Sequence, residues 1–188
     1  MASINFKIDT RISDCDRKIL RDFCSELGGD VVILAQKLGL KVFSQNLPPN
    51  TSGFIDYAPS KGTASGYIIV VNANDSVERQ KFTVAHEIGH YVLHRGSEHF
   101  KKASAVGADI LEFPTGNRSQ GGWDYRAGVA YPLRFEREAD AFAATVLLPE
   151  HLLRETPEFQ NGEIVKLARR LKLSVAMVSA SFEDAIFG

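Results

Sequence analysis

His86-Glu87-Ile88-Gly89-His90 sets two imidazoles four residues apart with a carboxylate between them. On a helix, residues i and i+4 share one face with about 5–6 Å between Cβ atoms, so both rings can converge on one ion. Glu87 points beside that face, close enough to serve a water on the metal without being a ligand itself. Zinc lowers the pKa of such a water toward about 7, and an adjacent carboxylate takes the proton as the oxygen attacks. The chemistry this spacing suggests is metal-assisted hydrolysis with His86 and His90 as ligands and Glu87 as general base. The competing reading is a surface helix carrying two exposed histidines.

His94 extends the series by another four residues, making three of the chain's five histidines. Eight residues from His86 is about 12 Å along a helix axis, too far for three turns to share one ion. A packed or hydrogen-bonded histidine at the helix end is expected there. A His₂Glu zinc set then needs a carboxylate from elsewhere. Glu136 in "FEREADAFAA" is the best supplier, because Asp140 follows on the same helical face and can accept the remaining ring N–H of a ligating histidine. Glu138, about 200° around the helix from Glu136, is expected to face solvent.

These residues need two helices and something to hold them. Asp75-Ser-Val-Glu78 reads as a capping box opening the central helix, which runs to about Arg95 before Gly96. "RFEREADAFAATVLLP" carries Phe135, Ala139, Phe142 and Val146 on one stripe and stops at Pro149. Upstream, 13–27 and 30–40 read as amphipathic helices, and 53–59 and 65–73 as two strands forming a hairpin. Residues 96–131 are rich in turn formers, and two shorter helices close the chain.

Composition narrows the setting. With 188 residues, 44% hydrophobic, 24% charged and a net charge near −1, the chain reads as an ordinary globular protein without a global field for nucleic acid or anionic membrane. No signal-peptide core or membrane-length apolar run is visible, so the cytoplasm is the expected location. Cys15 and Cys24 lie outside any CxxC spacing and read as thiols on one side of a helix.

The two blocks "ERQKFTVAHEIGHYVLH" and "EREADAFAATVLLP" resemble those of the ImmA/IrrE family of metallo-endopeptidases, and the likeness extends through "GLKVFSQNLPPNTSGFIDY" and "LARRLKLSVAMVSASF" to about 150 residues. The resemblance implies an α+β, zincin-like core: a small sheet packed on the HExxH helix and a second, antiparallel metal-binding helix, followed by a helical C-terminal part. The expected division is a metallopeptidase domain over 1–155 and a helix-turn-helix-like extension over 156–188, packed on the core. It also implies His86, His90 and Glu136 as ligands, Glu87 as general base, and Zn²⁺ as cofactor, with Mn²⁺ or Fe²⁺ left open by the donor set. The partner implied is a protein substrate, a helix-turn-helix repressor whose cutting releases stress or mobile-element genes.

The 96–131 segment is longer than many family members need and contains Trp123, Tyr125, Arg126 and Tyr131. Tyr125, Arg126 and Tyr131 are candidates for substrate or oxyanion contacts. A surface excursion with one aromatic anchor fits the same residues. An extended substrate is expected at the sheet edge near 66–72.

Two other functions share parts of this sequence. A non-proteolytic, metal-dependent regulator or DNA- or repressor-binding module is suggested by "IVKLARRLKLSVAMVSASF", but its second helix has no Lys or Arg for phosphates or guanine edges. Hydrolysis of a small amide would use the same metal residues.

Overall fold

The computed structural model describes residues 9–98, 100, 123–124 and 129–187. In chain order these form α1 (Asp14–Phe23), α2 (Val31–Lys37), β1 (Lys41–Gln45), β2 (Gly53–Tyr57), a 3₁₀ turn (Pro59–Lys61), β3 (Tyr67–Asn72) and α3 (Val77–His94). After them come β4 (Trp123–Asp124), β5 (Val129–Ala130), α4 (Leu133–Leu147), α5 (Glu150–Leu153), α6 (Pro157–Gln160), α7 (Ile164–Leu171) and α8 (Val175–Phe187). The architecture is α+β, a three-stranded sheet beside a helix pair, with a helical C-terminal part, as the zincin-like resemblance implies.

The sheet runs β1-β3-β2, with β1 parallel and β2 antiparallel to β3. The β2–β3 hairpin is as expected from the sequence, but β1 is additional. "KVFSQ" follows directly on α2, and its exposed-to-intermediate residues gave no clean two-residue alternation from which to separate it. Because Tyr67–Asn72 is the central strand, with its hydrogen-bonding edges taken by β1 and β2, no extended substrate can be added at 66–72. The expectation of strand addition there is wrong.

Asn72, buried at the end of β3, organises the β1–β2 connection. Its Oδ1 accepts from the Leu47 and Asn74 amides, and its Nδ2 donates to the Leu47 and Thr51 carbonyls. These bonds replace the water that the turn-rich "NLPPNT" backbone would otherwise need.

The central helix begins one residue later than expected. Ser76, not Asp75, is the N-cap, its hydroxyl accepting from the Arg79 amide at 3.3 Å. Asp75 instead belongs to the turn after β3, where its amide donates to the Asn72 carbonyl. Serine and aspartate cap about equally well, so the position was decided by where the strand ends.

Helices α3 and α4 pack tightly and antiparallel: His86 lies opposite Asp140 near one end and His94 opposite Phe135 near the other. Gly89 permits the approach. A Cβ there would sit 3.1 Å from both the Ala139 Cα and the Phe142 Cβ. Ile88, Val92, Phe142, Ala143 and Val146 join residues of α1 and α2 in one core, which also contains Leu167, Ala168, Leu171 and Val178 of the C-terminal helices. Lys81 of α3 donates to the Leu171 carbonyl at 2.9 Å, supplying a cation and a donor to the last turn of α7.

Candidate metal centre

Helix α3 presents His86, His90 and His94 as a row, with ring centroids 4.7 and 5.2 Å apart. Glu136 comes from the first turn of α4, directly across the helix pair. The His86 and His90 Nε2 atoms are 3.0 Å apart. Glu136 places Oε2 3.4 Å from the first and Oε1 3.3 Å from the second. Ligands about 2.0–2.2 Å from a tetrahedral ion lie roughly 3.3 Å from one another. The two imidazole nitrogens are close to that spacing, each has a different oxygen of the Glu136 carboxylate at a similar distance, and one donor atom from each residue lies within 4.8 Å of the others, so the group fits a metal ion. Two imidazoles and a carboxylate suit zinc and several other divalent ions.

Asp140, one turn after Glu136, accepts from His86 Nδ1 at 2.9 Å. That bond fixes the tautomer, leaving Nε2 directed at the triangle. Burial disfavours the charged form of His86, but bonds to Asp140 and Glu136 outweigh it and raise its pKa to about 10. His90 is more deeply buried, and desolvation brings its pKa down to about 4 despite the Glu136 contact. Burial opposes ionisation of Glu136, yet the two histidines hold it well below the ordinary carboxylate range. Glu87 is buried, and its negative charge also favours the protonated form of His86.

His94 is 2% exposed and takes no place in the triangle. Its ring stacks on Phe135 with centroids 4.2 Å apart and planes at 7°. Nδ1 lies 3.1 Å from His90 Nδ1, and Nε2 lies 2.8 Å from Glu138 Oε2. Burial lowers the pKa of His94 despite the Glu138 bond.

Glu138 is thus not the solvent-facing residue expected. Besides His94, it accepts from Arg11 Nη1 at 2.7 Å, and Arg11 is paired with Asp9 at 2.7 Å. The error lay in the reference direction. Measured from the apolar stripe of Phe135, Ala139, Phe142 and Val146, Glu136 and Glu138 each lie about 80° away, on opposite sides. Both flank the face that meets α3.

Of the candidates between the helices, Tyr131 stacks on His90, centroids 4.5 Å apart and planes at 19°. Its ring covers one face of the imidazole. Tyr125 and Arg126 lie outside the described residues. Arg11 and Glu138 were missed as neighbours of the site, and only the Arg-after-Asp pair in "DTR" offered any local sign of an anchored N-terminal segment.

Among the described residues, no helix is long and apolar enough to cross a membrane. Among curated proteins, none matches the chain. A solved structure of a Mycobacterium tuberculosis transcriptional regulator is similar with 20% identity and a TM-score of 0.49, over 92% of this chain and 48% of that one. This chain accordingly spans about half the length of that regulator. The peptidase family model described as the IrrE N-terminal-like domain matches residues 35–115, a stretch that holds His86, Glu87 and His90 and ends before Glu136. That stretch is therefore similar to an IrrE N-terminal-like domain of a metallopeptidase type, and the α+β fold and the grouped His86, His90 and Glu136 agree with the likeness.

Proposed function

We propose that the protein is a zinc-dependent endopeptidase, acting inside the cell on a peptide bond of a helix-turn-helix repressor and so releasing stress or mobile-element genes. The observation that supports the enzymatic part is the preformed triangle of His86 Nε2, His90 Nε2 and a Glu136 oxygen beside buried Glu87.

His86, His90 and Glu136 would hold the ion. Bound there, zinc supplies the positive charge that acidifies water and polarises the scissile carbonyl. Glu87 takes the proton from the attacking water onto its carboxylate and delivers it to the departing amide nitrogen. Asp140 keeps the His86 ring in register through Nδ1. Tyr131 excludes water from one face of His90.

The repressor as substrate rests on the family resemblance of the two motif blocks. Its test is co-expression with a repressor encoded nearby, followed by mass spectrometry of fragments. A single cut is expected with zinc-loaded wild type and none with Glu87→Gln, which should still bind zinc. Repressor binding without a cut by the loaded wild type would instead favour the non-proteolytic regulator.

A further inference from the structure

The two histidines of the triangle are supported differently. His86 rests directly on a carboxylate, Asp140. His90 Nδ1 faces another imidazole, His94, which in turn rests on Glu138, which is held by Arg11 from the segment before α1.

The order of donors in this row is fixed by its far end. Glu138 is tied to the Arg11 guanidinium and offers only acceptors, so His94 Nε2 donates to it. With its ring proton on Nε2, His94 has a lone pair at Nδ1, and two ring nitrogens 3.1 Å apart need one proton between them. His90 must donate from its own Nδ1, which leaves the lone pair on Nε2, the atom directed at His86 and Glu136. Stacking on Phe135 and Tyr131 prevents either ring from turning out of line.

We propose that His94, braced by Glu138 and Arg11, is a positioning residue that sets the tautomer and orientation of His90 for metal binding. This inference rests on the metal reading of the triangle. It assigns a role to the third histidine of the stretch and to a carboxylate on the opposite flank of α4 from the ligand. It also makes Arg11, in the segment before α1, part of the support for the site. A histidine buried for packing alone would need neither the ordered donors nor the anchored carboxylate.

Zinc affinity of the purified full chain, measured by competition with a chromogenic chelator, tests it alongside the melting temperature of the metal-free protein. His94→Phe keeps the stacked ring but has no acceptor for His90. It should weaken zinc binding about 10–100-fold. His94→Gln, whose amide can both accept and donate, should recover part of the loss. Glu138→Gln should give a smaller loss, and Arg11→Gln a smaller one still. In nitrogen-correlated NMR of the zinc-loaded protein, the His90 Nδ1 proton should be observable in wild type and lost in His94→Phe. Wild-type zinc affinity in both His94→Phe and Glu138→Gln, with His90→Ala abolishing binding, would overturn the inference and leave the metal site standing. If His94→Phe does not fold, Glu138→Gln decides alone, because Glu138 is 35% exposed and bears little of the core. A wild type that binds no divalent ion would remove the metal reading and this inference together.

Discussion

His86 and His90 have the same side chain and similar depth in the sequence motif, yet their surroundings drive their protonation in opposite directions. A carboxylate on each ring nitrogen stabilises the charge on His86, whereas His90 is buried between rings and keeps its neutral form. Asp140 therefore matters mainly to His86. Asp140→Ala should leave the fold intact, since Asp140 is on the open side of α4 with a side chain 41% exposed. Zinc affinity should fall about 10–100-fold, read by chelator competition. An unchanged affinity would mean that Asp140 neither orients His86 nor raises its basicity. Cys24 shows the reverse use of burial: desolvation pushes its thiol up to about 12, which makes it inert packing.

Between elements, the decisive contact is the one without side-chain chemistry. Gly89 sits between the two proposed ligands of α3 and against Ala139, three residues from the proposed ligand of α4. An added methyl would meet backbone at 3.1 Å, and the helices would have to separate by a few tenths of an ångström. Gly89→Ala should cost about 1–3 kcal/mol of stability and also weaken zinc binding, because Glu136 moves with α4. Thermal melts and the same competition assay check both effects. Wild-type values in both would show that the helix pair accommodates the methyl. The two-residue strands β4 and β5 pair with each other, Trp123 opposite Ala130, immediately before Tyr131, whose ring stacks on His90.

At the scale of the whole molecule, metal and charge pairs contribute in separable ways. Binding to the folded state alone stabilises by RT ln(1 + [L]/Kd), about 2.7 kcal/mol at a hundredfold excess over Kd. Zinc at that level should raise the melting temperature by roughly 5–10 °C for a chain of this size, and chelation should reverse it. No rise would count against a site formed by folding. Farther away, Glu158 is held below the ordinary carboxylate value of 4.5, first by its own backbone amide and then by Arg170. Its folded pKa is depressed, so its contribution is present above pH 4.5 and lost as pH falls through the folded value. Wild type should melt above Glu158→Gln near neutral pH, and the two curves should converge in acid. A difference that persists in acid would assign the effect to something other than the ionised carboxylate.

The sequence by itself determined what is periodic and local. Four-residue spacings put His86 with His90 and Glu136 with Asp140 on shared faces, and apolar stripes indicated which helices would be buried. It could also exclude His94 from an ion shared with His86, since that separation is fixed by helix rise. Tertiary structure alone decided how the faces meet. The rotation of α4 against α3 is set by close packing at Gly89, Ala139 and Phe142, and it places Glu136 and Glu138 on opposite flanks of one contact. The partner of Glu138 beyond His94 is Arg11, 127 residues away. No helical period relates such residues, and only the folded chain brings their charges together.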